Sequence, residues 1–327
     1  MRVLVTGGGG FLGQAIVRLL LGRGTDVAVL NRSRYPELDD LGVDCHQGDI
    51  ADRQTVIDAA RSCDAVIHVA ARAGPGLYRP DFERPNVEGT RNVLAACETH
   101  GIASLVHTSS PSVVHTGGDI EGADESLPYA SHFHSPYPET KAEAERLVLA
   151  ANGPALKTCA LRPHLIWGPG DNQLVPRLIE KNRAGRLRLP DADKKIDTVF
   201  IDNAALAHVL ALDNLQGRAT AAGNAYFISN GEPLPNGEII ERLLRASGEA
   251  PRIGSVPYPA AMAIAAMVEA LWRLSRRRDD PPLSRFVVNH LATAHWFDLG
   301  AARRDLGYEP EVSIEEGLAR LSAAAAG

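Results

Sequence analysis

Cysteine is sparse in these 327 residues. Cys45, Cys63, Cys97 and Cys159 stand apart with no CxxC pair, which argues against a disulfide-stapled scaffold and predicts reduced, buried thiols. An excess of basic charge is also missing. The chain carries 34 Lys and Arg against 40 Asp and Glu, a net charge of -6, whereas a dedicated nucleic-acid binder is usually basic. Long apolar runs are lacking too. The longest, Tyr258 to Val268, is closed by Glu269 and falls short of the ~20 residues that cross a bilayer. Glycines from Gly7 onward interrupt the amino terminus before a signal-peptide core can form, so a cytoplasmic location is expected. No internal repeat is found. What is present, 45% hydrophobic and 23% charged residues, argues against disorder, and a chain this long folds without a disulfide or a metal.

Two periodicities alternate along the first half. Arg2–Thr6, Asp26–Leu30, Val43–His46, Ala65–Ala70, Ser104–Thr108 and Thr158–Ile166 read as strands. Phe11–Leu21, Asn86–Glu98 and Tyr137–Ala151 read as helices between them. Apolar strands without polar alternation, spaced by helices, predict an α/β fold: a doubly wound parallel sheet of Rossmann type, covered on both faces. Prolines become frequent after Gly168. The expected division is a dinucleotide-binding domain over 1–165 and a smaller, interleaved substrate-binding region over 166–327, with about 196–228 returning to the first domain. Ser313 and Glu316 form a capping box for a last helix.

Gly7, Gly10 and Gly13 sit between the first strand and the first helix, in GxxGxxG spacing. Glycines permit the tight turn, let backbone N–H groups approach a pyrophosphate and let helix pack on strand. Phe11 and Leu12 would then offer the positive end of the helix to the anion. About 20 residues on, an NAD site places an acid for the ribose 2′-hydroxyl. Here Asn31 stands in that place and Arg32 follows. A guanidinium pairs with a 2′-phosphate that a carboxylate would repel, so NADP(H) is expected over NAD(H), which stays open. Asp49 and Ile50, after the third strand, are placed to touch the adenine.

Tyr137 and Lys141 are spaced i,i+4, on one face of a helix. An ammonium beside a phenol favours tyrosinate and makes the phenol a usable proton donor or acceptor. Thr108-Ser109-Ser110-Pro111-Ser112 ends the fifth strand, where a parallel sheet presents its ligands, and one of these hydroxyls is expected to hold a substrate oxygen.

Together with His68-Val69-Ala70-Ala71, Asn86, Gly89-Thr90, Arg162-Pro163 and Trp167–Asp171, these pieces make the whole chain resemble the extended short-chain dehydrogenase/reductases. The resemblance implies Tyr137, Lys141 and Ser110 as catalytic residues, with Ser112 in reserve and Asn86 supporting the proton relay. It further implies that Ala70 and Ala71 line the cofactor, that Lys141 holds the nicotinamide ribose and that Pro163 borders the nicotinamide. Tyr226–Pro233 and Asp202-Asn203-Ala204 with His208 are similar to the 3β-hydroxysteroid dehydrogenase-like branch. Pro111-Ser112-Val113, Leu161–Asn172, Pro282–Phe286 and His295-Trp296 are similar to bacterial 2-alkyl-3-oxoalkanoate reductases of olefin biosynthesis. These β-keto acid reductases use NADPH. Pro75-Gly76-Leu77-Tyr78 departs from the aromatic-rich loop common in the family.

The expected function is reduction of a ketone to a secondary alcohol on a hydrophobic substrate. Oxidation of a 3β-hydroxysteroid, epimerisation of a nucleotide sugar and non-catalytic dinucleotide binding are the alternatives. Val256–Phe286, with Met262, Ile264, Met267, Val268, Leu271 and Trp272, is expected to wall the substrate site. His132 and His134 lack the partners of a metal site, so no metal is expected. Arg276-Arg277-Arg278 after the apolar helix leaves a membrane-surface or multi-enzyme contact open. A hydrophobic small-molecule substrate, a homodimer and no nucleic acid complete the partners expected.

Overall fold

The computed structural model describes residues Met1–Ala326. Seven short segments, apolar except for the exposed edge strand β3, form the central sheet: β1 (Arg2–Thr6), β2 (Asp26–Asn31), β3 (Asp44–Gln47), β4 (Ala65–His68), β5 (Ser104–Thr108), β6 (Lys157–Pro163) and β7 (Ala225–Ile228). All pairs are parallel, in the order β3-β2-β1-β4-β5-β6-β7. Strand order reverses between β1 and β4, which is where an open α/β sheet makes its ligand crevice. The inner strands are buried on both faces: Val3, Leu4, Val5, Ala65, Val66, Ile67, Leu105 and Val106 are all fully buried. That is why their sequences show no polar alternation.

The helices that position the site are α1 (Phe11–Gly22), α2 (Gly89–His100), α3 (Pro136–Ala150), α4 (Ile201–Gln216), α5 (Tyr258–Leu274) and α6 (Arg285–Ala292). Ser135 caps α3 by accepting from the Tyr137 N–H at 3.4 Å, and Pro136 and Pro138 fall in its first turn, where no intrahelical N–H is needed. Ser313 caps the last helix as expected, accepting from the Glu316 N–H at 3.2 Å. A second, four-stranded sheet joins Leu234–Pro235, Lys195–Ile196, His295–Phe297 and Ile120–Ala123.

Two elements differ from their sequence reading. The strand expected through Ile166 stops at Pro163, because Leu165 adopts a left-handed φ of 47° and turns the chain. Ile166–Trp167 then pairs with Val199–Phe200 in a separate ribbon. The helix expected from Asn86 begins as a wide π-helical turn, Arg84–Glu88, before tightening into α2. Such widened turns recur at functional sites, and here the turn carries Asn86.

Candidate active site

The turn after β1 is held from three sides. Gly7 has φ 73°, and a Cβ there would lie 2.9 Å from the Ala70 backbone. A Cβ at Gly13 would lie 2.1 Å from the Gly7 carbonyl, so α1 packs this close only with glycine. The Asn31 Oδ1 accepts from the Gly9 N–H at 2.8 Å. Gly10 caps α1 without any side-chain cap, which leaves the Phe11 and Leu12 end of the helix with N–H groups for an anion. A dinucleotide pyrophosphate fits this cradle.

Behind the turn lies a relay that the sequence did not reveal. Thr6 Oγ1 meets His68 Nδ1 at 2.7 Å, His68 Nε2 meets Thr90 Oγ1 at 3.0 Å, and Thr90 donates to the Asn86 carbonyl at 2.6 Å. Because Thr90 spends its proton on Asn86, His68 carries its own on Nε2 and accepts from Thr6. Burial pushes the His68 pKa down to about 3, so the ring is neutral. Asn86 is buried. Its Oδ1 accepts from the Arg72 N–H at 2.7 Å, and its Nδ2 donates to the Arg72 carbonyl at 3.1 Å and to Thr140 Oγ1 at 3.0 Å. Among the described residues no hydrogen bond joins Asn86 to Tyr137 or Lys141; it reaches α3 through Thr140.

Around the rest of the expected cofactor track, Asp49 pairs with Arg84 at 2.9 Å and accepts from the Ala51 N–H. Ile50 is buried against Gly89, Ala70 is half-buried over Gly7, Ala71 is exposed, and Pro163 is buried at the end of β6. Arg32 is exposed and makes no ion pair among the described residues.

Beyond the carboxyl end of β5 the Ser110 hydroxyl lies close enough to the Tyr137 phenol to favour its ionised form. Ser110 Oγ also lies 2.9 Å from Ser112 Oγ. Lys141 Nζ donates to the Thr108 carbonyl at 2.6 Å and to His107 Nε2 at 3.2 Å. The expected electrostatics need correction here. Burial raises the Tyr137 pKa, opposed by the nearby Ser110 hydroxyl, so the phenol holds its proton at neutral pH. Lys141 is the group that burial shifts strongly, down to about 8. One turn further on, Glu145 takes a two-point hydrogen bond from Arg162 of β6, at 2.6 and 3.1 Å, and a third from the Tyr129 hydroxyl at 2.8 Å. This buried clamp fixes α3 to the sheet that carries Ser110.

A narrow cleft opens beside Ser112, lined by Phe133, Pro138, Phe286, His115 and His290. Phe286 stands edge-on to Tyr137, with ring centroids 6.4 Å apart. The wall expected from α5 is otherwise not found at the site: Met267 is 58% exposed and Leu271 54%. Ala261, Ala265 and Glu269 are the buried residues of that helix, and Met262, Val268 and Trp272 are half-buried, with Met262 packed on Ala261, Ala265 and Val288. His132 and His134 are both exposed, whereas His115, His290 and His295 converge. No sequence spacing signals that convergence, because the three come from separate elements.

Three comparisons bear on this geometry. The 3-beta hydroxysteroid dehydrogenase/isomerase family matches residues 4–254. A 2-alkyl-3-oxoalkanoate reductase of Stenotrophomonas maltophilia is 54% identical, covering 100% of both chains. One from Shewanella oneidensis is 46% identical, covering 98% of this chain and 86% of its own. Among solved structures, a Thermus thermophilus UDP-glucose 4-epimerase in complex with NAD superposes with a TM-score of 0.75 at 27% identity, covering 100% of this chain and 99% of that one. A Rossmann sheet, a glycine turn at a helix N-terminus and a Ser–Tyr–Lys group thus coincide with a family match over most of the length. The chain belongs to the 3-beta hydroxysteroid dehydrogenase/isomerase family of extended short-chain dehydrogenase/reductases, and is an oxidoreductase that works on a CH–OH group with a nicotinamide cofactor.

Proposed function

We propose that this enzyme reduces the 3-oxo group of a 2-alkyl-3-oxoalkanoate with NADPH. The end-to-end 54% identity to a reductase of that name carries the substrate class. The chemistry of the site agrees with it. A phenol that keeps its proton at neutral pH is the form needed to protonate an oxygen as a ketone becomes an alcohol. Ser110 and Tyr137 together would hold that carbonyl oxygen, and Lys141 would hold the nicotinamide ribose. The bound cofactor supplies the hydride. Phe286, Phe133 and Pro138 put apolar side chains beside Ser112 and Tyr137, on the side of the site where an alkyl branch would lie. The preference for the 2′-phosphate rests on exposed Arg32 and on an amide, already bound to the turn, where NAD sites place an acid.

One set of rate measurements tests this reading. Purified enzyme is assayed with NADPH and NADH against 2-alkyl-3-oxo acids, a 3β-hydroxysteroid in the oxidative direction and UDP-glucose. Expected is a kcat/KM highest for 3-oxo acids with NADPH, a narrower cofactor preference in Arg32→Ala, and a loss of about 10²–10⁴-fold in Tyr137→Phe, which still quenches on NADPH binding. Preference for NADH in the parent overturns the cofactor assignment. Turnover confined to the sterol or the sugar nucleotide overturns the substrate.

A further inference from the structure

Five residues beyond Ser110 the chain places His115 beside two other imidazoles, His290 of α6 and His295 of the strand His295–Phe297. One ring nitrogen from each lies within 4.8 Å of the other two. His115 Nε2 and His295 Nε2 face each other at 2.9 Å. Thr293 Oγ1 is 2.8 Å from His295 Nε2 and 3.3 Å from His115 Nε2. Its own proton is spent on the Asn289 carbonyl, 2.8 Å away. Two ring nitrogens and a hydroxyl that has no proton to give them therefore meet in a very small space. The Nδ1 of His290 is buried with no hydrogen-bond partner. Burial pushes all three rings towards the neutral form, which keeps their lone pairs available. Asp119, the carboxylate that acts on His115, lies outside the cluster and is itself taken up by Lys194 and the Ala294 N–H.

We propose that His115, His290 and His295 bind a divalent transition-metal ion, with zinc the best-suited. Three imidazoles are a donor set that suits zinc, and Zn–N bonds of about 2.0–2.1 Å place tetrahedral ligand nitrogens roughly 3.3 Å apart. The three nitrogens, within 4.8 Å of one another, would have to adjust to that spacing on binding. His115 and His290 also line the cleft beside Ser112, whose volume of about 10 Å³ is room for one water-sized fourth ligand. That is the arrangement of a site with an exchangeable ligand, not of a closed structural one.

Cobalt(II) titration of the chelator-treated full-length enzyme is the direct test, because tetrahedral cobalt absorbs strongly in the visible. One cobalt per chain, displaced by zinc, is expected. His290→Ala and His115→Ala should each weaken binding by about 100-fold or more, while His132→Ala leaves it unchanged. NADPH-quenched fluorescence and the metal-free melting temperature establish that the variants are folded. A second measurement needs no variant: zinc should protect His115, His290 and His295, but not His132, from carbethoxylation read by peptide mass spectrometry. Absence of one-to-one binding, full affinity in His290→Ala, or equal modification with and without zinc overturns the site.

Discussion

Lys141 has its charge set by burial. Its pKa is lowered to about 8, with Glu145 pulling the other way. Below that value the ammonium is present and can donate to Thr108, His107 and a ribose hydroxyl; above it the amine is neutral and these interactions weaken. We expect kcat/KM for ketone reduction to fall as pH rises through about 8, since that ratio reports free-enzyme ionisations. Lys141→Arg keeps its charge at any working pH and should lose that alkaline limb even where its absolute rate is lower. A profile with the same limb in both proteins would assign it to another group. The positions of Tyr137 and Lys141 were legible in the sequence, because a four-residue spacing on a helix needs no tertiary knowledge. What each touches was not. His107 and the Thr108 carbonyl, which hold Lys141, lie on a strand that only the fold brings against α3. The same holds for His115 and His295, which sit 180 positions apart.

At the scale of elements, α5 turns an ordinary expectation round. Its apolar residues suggested a face pressed against substrate or core. Instead the inward stripe is Ala261, Ala265 and Glu269, spaced four apart, and Ile264, Met267 and Leu271 face outward. Glu269 explains the orientation. It is fully buried and accepts from the Arg285 N–H at 2.8 Å and from its guanidinium at 2.9 and 3.0 Å, joining α5 to the start of α6. Met267→Gln and Leu271→Gln should each change stability by under about 0.5 kcal/mol and leave KM unchanged across substrate chain lengths. Glu269→Gln should cost about 1–3 kcal/mol, because it weakens hydrogen bonds to a charged partner in a dry setting. Chemical denaturation of the three variants distinguishes the faces; a larger loss from Leu271→Gln would contradict the exposed face. Hydrophobic content can be read from sequence, but the choice of face depends on which polar group finds a partner. Strands and helices of the nucleotide-binding half were more legible, since a parallel sheet buried on both sides leaves continuous apolar runs.

Across the whole molecule, the sheet is completed from far along the chain. β7 pairs with β6 through Ala225↔Ala160 to Ile228↔Pro163, and the carboxyl-terminal part anchors it further, with the Tyr308 hydroxyl donating to the Ser229 carbonyl at 3.0 Å. Asn203 of α4 joins the same region by donating to the Val312 carbonyl at 2.7 Å. Alternating strands and helices foretold the sheet, but the pairing partner of its last strand could not be foretold from local pattern, because a four-residue apolar segment fits many edges. During synthesis this has a cost in time. The ribosome delivers β1 to β6 well before Ala225–Ile228 emerges, so β6 waits as an open edge whose backbone groups can pair with another nascent chain. Nascent chains stalled with residues up to 170 clear of the exit tunnel should therefore be cut rapidly by protease and recovered with bound chaperone, whereas chains stalled with residues up to 326 clear of it should resist; equal resistance at both lengths would mean that the amino-terminal strands settle before their last neighbour is made.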